Sequence, residues 1–138
     1  MGNFFELGSS LIMNVPEIDE QHSYLTGLIN DYHASIRGEA SREQLADILA
    51  FLVSYVGIHF STEERLMEET SYPGGQAHAA EHACLTEKVA GMAALYETGQ
   101  RPDEEQLAVF LRDWLVTHVG ETDRKLADWI IYRKSPGA

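Results

Sequence analysis

The sequence predicts an all-α protein, an up-down-up-down four-helix bundle that follows an irregular N-terminal arm. Four segments carry apolar residues at helical spacing, and no segment shows the alternating pattern of a strand. The connections between the four segments are short, which places successive helices antiparallel in a bundle. With 138 residues the chain suits one domain, and we expect the arm over residues 1–17 and the bundle over residues 18–134.

Capping residues and rows of apolar residues at helical spacing (apolar stripes) define the first two helices. Asp19 is the predicted N-cap of the first helix, which runs to about Arg37 and stops at Gly38. Its apolar stripe comprises His22, Leu25, Ile29, Tyr32 and Ile36. Ser41 and Gln44 form a capping-box pattern that opens the second helix. The stripe of this second helix comprises Leu45, Ile48, Leu52, Tyr55, His59, Thr62 or Glu63, and Leu66.

The other two helices follow the break at residues 72–75, which read Tyr-Pro-Gly-Gly. The third helix covers roughly residues 76–98, with Gly99 just beyond its end. Its stripe comprises His78, His82, Leu85, Val89, Met92 and Tyr96. Pro102 is the predicted N1 residue of the fourth helix, which continues to Lys134. That helix presents Leu107, Leu111, Trp114, His118, Leu126 and Ile130.

Charge and cysteine content restrict the partners and the compartment. The net charge of −12, from 22 acidic and 10 basic residues, disfavours nucleic acid and anionic lipid as partners. No apolar run approaches the roughly 20 residues that cross a bilayer, so we expect no membrane insertion. Cys84 is the one cysteine and can form no internal disulfide, which fits a reducing cytoplasm, and we interpret it as a buried or half-buried helix residue. We therefore expect a cytoplasmic monomer.

Five of the six histidines lie on predicted core stripes. Residues four apart share a helix face, so His59 and Glu63 point the same way, and so do His78 and His82. A single histidine on an apolar stripe is usually a hydrogen-bonded core residue. Five imidazoles and a carboxylate buried together would lack partners at a cost of about 1–3 kcal/mol each, and a metal ion removes most of that cost. The pattern therefore predicts a metal site built from facing helices.

His33 is the exception among the histidines. It lies eleven residues after His22 and so returns to nearly the same helix face, but about 16 Å along the axis. It cannot reach the same metal, and we expect it to be partly exposed without a metal role.

Four motifs in order resemble those of the hemerythrin family, in its stand-alone bacterial form. Residues 18–22 (Ile-Asp-Glu-Gln-His) resemble its first-helix motif, and residues 59–64 (His-Phe-Ser-Thr-Glu-Glu) resemble its second-helix block, with Met67 and Tyr72-Pro73 following. Residues 78–82 (His-Ala-Ala-Glu-His) match its third-helix pair. The stretch from Trp114 through His118 to Asp123 matches its closing pattern. The resemblance spans residues 18 to about 130.

The resemblance implies a non-haem di-iron site with a defined division of ligands. One iron would be held by three histidines, and the other by two. Two carboxylates and an oxo or hydroxo group would bridge both irons. In this sequence the first group is His78, His82 and His118, the second is His22 and His59, and the bridges are Glu63 and Asp123.

The implied function is reversible dioxygen binding, as an oxygen carrier, store or scavenger and not as an enzyme. Imidazole and carboxylate suit iron, and the ligands would fill all but one position on two six-coordinate ions. The alternatives are an oxygen or redox sensor with a signalling partner, a di-iron peroxidase or nitric-oxide-consuming enzyme, and an iron store. An oxygen-consuming recipient is the other partner that such a role would require.

Three further predictions concern residues next to the proposed ligands. Glu81 and Glu121 are candidates to hydrogen-bond the second nitrogen of a ligand histidine. Glu64 lies about 100° round the helix from Glu63, so we expect its loss to have a mild effect. His118 and Asp123 are five apart, which predicts either a π-type turn near Gly120 or an unusually close approach of this helix to the metal pair.

Overall fold

The computed structural model describes residues 4–134 and confirms the four-helix bundle. Within this range every regular element is helical. The bundle helices are α1 (Pro16–Arg37), α2 (Arg42–Glu69), α3 (Gly75–Glu97) and a fourth helix of three parts. Those parts are α4 (Glu104–Thr117), a π-helical turn (His118–Asp123) and α5 (Arg124–Lys134). Helix α2 packs against α1 and α3, and α1 also packs against α4.

Two predicted helix starts were wrong. Helix α1 begins at Pro16, whose fixed φ suits the first helical position, and its N-cap is Val15. The Asp19 carboxylate instead accepts the backbone N–H groups of Met13 and Asn14 at 2.7 and 2.9 Å, which ties the arm to α1. Helix α4 begins at Glu104, because the Asp103 side chain caps it by accepting the N–H of Gln106.

The predicted stripes face the core, with one shift of register on α2. The capping box of Ser41 and Gln44 is present as predicted. Leu49 and Val56 are buried, whereas Ile48 and Tyr55, both expected on the core stripe, are half-buried at its edge. The shift arises because a row of residues 3 and 4 apart drifts around a straight helix.

Helix α2 is also more apolar than expected. By length and composition alone an 18-residue window of it could cross a membrane, so the expectation that no segment approaches this limit was wrong. In the bundle, α2 buries His59 and Glu63 against α1 and α3, as a core helix does. Only 33% of that window is buried, however, which leaves much of its apolar surface outside the core.

A short arm precedes the bundle and lies against it. Asn30 on α1 exchanges two hydrogen bonds with the backbone of Phe5, both of 3.0 Å. At the other end of the arm, the Arg124 guanidinium donates to the carbonyls of Ser10 and Ile12. The arm therefore bridges α1 and the start of α5. Cys84, which we expected to be at least half-buried, is exposed on α3.

Candidate metal centre

The structure brings all seven predicted site residues together in the core. The five histidines come from α1, α2, α3 and the π-helical turn, and each is at most 3% exposed. The two carboxylates, from α2 and the end of the π-helical turn, are 0% exposed. These residues are His22, His59, Glu63, His78, His82, His118 and Asp123.

The seven side chains fall into two overlapping groups whose candidate ligand atoms lie within 4.8 Å of one another. Three histidines from α3 and the π-helical turn form the first group, and two from α1 and α2 form the second. Glu63 and Asp123 belong to both. The division is that of the predicted ligand sets.

Each carboxylate directs one oxygen toward each group of histidines. Oε2 of Glu63 lies 3.2 Å from Nε2 of His59, and its Oε1 lies 3.0 Å from Nε2 of His82. Oδ2 of Asp123 lies 2.8 Å from Nε2 of His22, and its Oδ1 lies 3.0 Å from Nε2 of His78. Two carboxylates placed in this way can bridge a pair of metal ions.

A π-helical turn places Asp123 in the site. This turn begins at His118 and ends at Asp123. The prediction of a π-type turn around Gly120 is confirmed. The wider turn brings residues five apart onto one face, so Nε2 of His118 lies 3.1 Å from Oδ1 of Asp123.

Three histidines are oriented by hydrogen bonds from the ring nitrogen that faces away from the cluster. Nδ1 of His118 lies 3.0 Å from Oε1 of Glu81, which also accepts from Thr122. Glu81 was a predicted partner. Glu121, the other candidate, is exposed, and the described residues include no partner for its side chain.

Two of these orienting residues were missed by sequence reasoning. Oε2 of Glu64 lies 2.9 Å from Nδ1 of His82. Oε1 of Gln21 lies 2.8 Å from Nδ1 of His59, and its amide nitrogen donates to Thr62. An Nδ1–H donor leaves the Nε2 lone pair free for a metal. Both pairs cross between helices, and only the adjacency of each residue to a ligand in sequence could have indicated them.

The nitrogen and oxygen atoms at the centre are better placed to bind a metal ion than to hydrogen-bond to one another. Seven buried side-chain atoms have no hydrogen-bond partner among the described residues, including both oxygens of Asp123 and Nε2 of His59. The Nε2 atoms of His82 and His118 face each other at 3.2 Å, although neutral imidazoles oriented through Nδ1–H have only lone pairs there. Cations at the centre would satisfy Nε2 of His82 and of His118 and five of the seven atoms, all except Nδ1 of His22 and of His78.

Comparison with known proteins gives the same family as the site. The family model for the hemerythrin HHE cation binding domain matches residues 13–130. The chain belongs to the hemerythrin family.

Relatives and solved structures agree with this assignment. This hemerythrin is 31% identical over 111 residues to bacteriohemerythrin from Methylococcus capsulatus, covering 80% of this chain and 84% of that one. It is 29% identical over 120 residues to bacteriohemerythrin from Stenotrophomonas maltophilia, covering 87% and 77% of the two chains. A crystal structure of wild-type hemerythrin superposes with a TM-score of 0.86 at 26% identity and covers 92% of this chain and 98% of that one.

Electrostatics in this hemerythrin favour ionised Glu63 and Asp123 and, without metal, protonated His22 and His78. Burial lowers the pKa of His22, but its contacts with Asp123 and Glu63 outweigh burial and raise the pKa to about 9. His78 behaves in the same way, with a pKa of about 9. Burial raises the pKa of Asp123 and Glu63, and the charge of Glu63 raises that of Asp123 further, but the short contacts with the surrounding histidines outweigh these effects. The pKa of Asp123 falls to about 2, and that of Glu63 falls well below its usual value.

Aromatic rings cover the three-histidine side of the cluster. Phe60 stacks on His82 with ring centroids 3.7 Å apart, and Trp114 stacks on His118 at 4.3 Å. These rings restrict the histidines and keep water from that side. On the other side, a cavity of about 590 Å³ between the arm and α1 is lined in part by His22, Leu11 and Thr26.

His33 lies apart from the cluster, as predicted. It is stacked on Phe4 with ring centroids 3.9 Å apart, and its Nε2 lies 3.1 Å from Oε1 of Glu105 on α4. Its side chain is 15% exposed. The contacts join the arm, α1 and α4, which gives His33 a structural role.

Proposed function

We propose that this chain binds dioxygen reversibly at a non-haem di-iron centre. Each ion would have its own set of histidines, and two carboxylates would bridge the ions. The proposed ligands of one ion are His78, His82 and His118, those of the other are His22 and His59, and the bridges are Glu63 and Asp123.

The division of each carboxylate between the two groups carries this proposal. A carboxylate that served only one ion would direct both oxygens toward one group of histidines, or would direct one oxygen there and use the other in a hydrogen bond. Glu63 and Asp123 each approach histidines of both groups, with nitrogen–oxygen distances of 2.8 to 3.2 Å. This arrangement supports a metal pair and not a single ion.

The type of ligand supports holding oxygen over activating it. When bound, an iron pair supplies the electrons and the open coordination position that reversible dioxygen binding requires. The chain supplies five imidazoles, whereas carboxylate-rich di-iron proteins use Glu-x-x-His pairs. The cavity beside His22 reaches the two-histidine side, where the proposed open position lies. We propose this cavity as the approach for dioxygen.

The chain's own residues would keep the centre dry and the histidines fixed. Glu64, Glu81 and Gln21 orient three of the imidazoles. Phe60 and Trp114 exclude water from the three-histidine side. Fixed ligands and a dry pocket favour release of intact dioxygen over side reactions with water.

We also propose that the protein acts as a monomer in the cytoplasm. Cys84 is exposed and free among the described residues, a state that a reducing compartment preserves. The net charge of −12 opposes self-association through acidic surfaces.

An iron assay and an absorption spectrum test the proposal. The purified protein should contain about two irons per chain. The reduced protein should change spectrum in air and return to its first spectrum under vacuum or argon through several cycles. A stoichiometry of one iron, or full occupancy by zinc after growth in iron-rich medium, would contradict the di-iron site. Irreversible oxidation in the first cycle, or rapid turnover of peroxide or nitric oxide, would contradict the carrier role and support an enzyme.

A further inference from the structure

Helix α2 carries a second apolar stripe that the bundle covers only in part. Its residues recur at intervals of three and four and comprise Ile48, Phe51, Tyr55 and Ile58. Phe51 and Ile58 are 53% and 54% exposed. A helix that is apolar on more than its core face is normally buried by something else. Ile48 and Tyr55 are half-buried at the edge of the core, so the stripe is only partly covered by the described chain.

Helix α1 extends the same surface. Tyr24 is 46% exposed, and its ring packs edge-on against Tyr55 with centroids 4.5 Å apart. Two adjacent hollows of about 610 and 720 Å³ lie along this side of the two helices, and both are lined by Leu28 and Asp31. Together they form a continuous groove, the α1/α2 groove, with an apolar floor of Tyr24, Leu28, Ile48, Phe51 and Tyr55.

Acidic side chains surround this floor. Glu20, Asp31 and Asp47 line the two hollows, and no Lys or Arg lines either one. Some carboxylates elsewhere pair with arginines, as Glu105 does with Arg37 and Glu104 with Arg101. The groove thus combines exposed apolar area with negative charge that no cation of this chain offsets there.

We propose that the α1/α2 groove docks an amphipathic helix of a partner protein that carries lysine or arginine beside its apolar stripe. Apolar side chains at i, i+3 or i+4, and i+7 would enter the two hollows, as in other helix-in-groove complexes. The basic side chains would meet Glu20, Asp31 and Asp47. Charge complementarity of this kind speeds association and selects the partner.

The acidic rim argues against the two other occupants of an apolar groove. A second copy bound through the same face would bring two sets of the same carboxylates together, on chains that each carry a net charge of −12. An anionic membrane surface would be repelled by the same residues. A basic helix is the occupant whose charge and shape both match.

A designed peptide tests the groove directly. The probe is a fluorescein-labelled helical peptide with a leucine stripe and lysines on its flanks, titrated by fluorescence anisotropy into the iron-loaded protein. The groove variant is Phe51→Ser with Tyr24→Ser, two residues that line the groove and are 53% and 46% exposed. The matched control is Ile131→Ser with Tyr132→Ser on α5, which are 40% and 55% exposed in the native chain.

Binding should weaken by about 10-fold or more in the groove variant and by less than about 2-fold in the control. The variant Asp31→Asn with Asp47→Asn should bind more weakly and with a smaller dependence on salt. Hydrogen exchange should slow on peptide binding over residues 24–31 and 47–58.

Three outcomes would overturn the proposal. Equal binding to the groove variant and the control would mean that the peptide senses only net charge. A dimer that the groove variant abolishes would make the face a contact between two copies, and binding to phosphatidylcholine or phosphatidylglycerol vesicles that the same variant abolishes would make it a lipid contact. None of the substituted residues belongs to the candidate metal centre, so iron content and spectrum should stay unchanged, and failure here leaves the di-iron proposal intact.

Discussion

The Nε2 atom of His118 lies 3.1 Å from Oδ1 of Asp123, although the two residues are five positions apart on one helix. In a regular α-helix their side chains would point about 140° apart. The π-helical turn between them removes that difference by adding a residue to the turn. One local distortion thus places a carboxylate where histidines from three helices can contact it.

Gly120→Ala should leave this turn intact. Gly120 does not adopt a positive φ, and an added Cβ would meet only the end of the flexible Leu11 side chain, at 3.3 Å. We expect the free energy of unfolding to change by less than about 1 kcal/mol and the iron content to be unchanged. Urea denaturation and an iron assay would measure both.

Gly91→Ala is the control for that substitution. An added Cβ at this exposed position on α3 meets nothing within 4 Å. The free energy of unfolding of this variant should therefore rise by about 0.5–1 kcal/mol, because alanine has a higher helix propensity than glycine. If Gly120→Ala instead loses iron, or if its free energy of unfolding falls by more than about 2 kcal/mol relative to this control, the π-helical turn depends on glycine itself.

Periodicity within single helices predicted that the five histidines and Glu63 face the core, whereas the role of Asp123 and the division of the ligands between two irons were predicted from the resemblance to the hemerythrin family. His59 and Glu63 must share a face, and so must His78 and His82, whatever the rest of the fold does. The π-type turn was predicted from spacing and resemblance together, since the resemblance assigns His118 and Asp123 to one metal pair and the two residues are five apart.

Contacts between helices could not be predicted in this way. Whether Glu64 reaches His82, or Gln21 reaches His59, depends on the rotation and axial offset of two helices, which packing of the whole bundle decides. The start of α1 was missed because Asp19 is a good capping residue, and only the arm's path shows that it serves Met13 and Asn14.

A series of three glutamates on α2 separates the proposed ligand from its neighbours. Glu63→Gln should abolish binding of two irons, because Glu63 contacts histidines of both groups. Glu64→Gln should lower iron affinity by several-fold but less than about 10-fold, because its amide oxygen still accepts from His82 but the negative charge is lost, which revises the mild effect expected from its helix face. The exposed Glu68→Gln should have no effect. Competition with a chelator measures all three.

That series has a clear contrary result. If Glu64→Gln retains iron as well as Glu68→Gln does, the negative charge of Glu64 at 2.9 Å from His82 is dispensable. If Glu63→Gln still holds two irons, the carboxylate is not a bridge.

Metal binding should release protons at neutral pH. In the metal-free protein His22 and His78 have pKa values raised from 6.5 to about 9, so both are charged at pH 7 and must lose a proton to bind metal. We expect these two histidines to release about two protons per chain at pH 7, and fewer as pH rises through 9. A pH indicator in weakly buffered solution, with anaerobic ferrous iron or with zinc, measures the release.

The same shifts set the sign of the stability change with pH. A raised histidine pKa stabilises the metal-free fold fully below pH 6.5, and this contribution is lost as pH rises through about 9. The lowered pKa of Asp123 acts oppositely: its contribution is present above pH 3.8 and is lost as pH falls through about 2. Urea denaturation at pH 6 and pH 9.5 should give a lower free energy of unfolding for the metal-free protein at the higher pH. Equal free energies at the two pH values would contradict the raised histidine pKa values.

The last prediction separates Glu81 from Glu121, two carboxylates that the sequence alone presented as equivalent. Glu81 accepts from Nδ1 of His118 and from Thr122, and these hydrogen bonds lower its pKa against the effect of burial, so it is ionised at neutral pH. Its loss leaves His118 free to rotate and to adopt the other tautomer, so Glu81→Ala should lower iron affinity by about 10-fold or more. Glu81→Gln keeps an acceptor and should lose less, and Glu121→Ala should match the parent protein. Iron retention against a chelator and the diferric absorption spectrum measure the order. Equal losses in Glu81→Ala and Glu121→Ala would show that charge near the site matters and that the hydrogen bond to His118 does not.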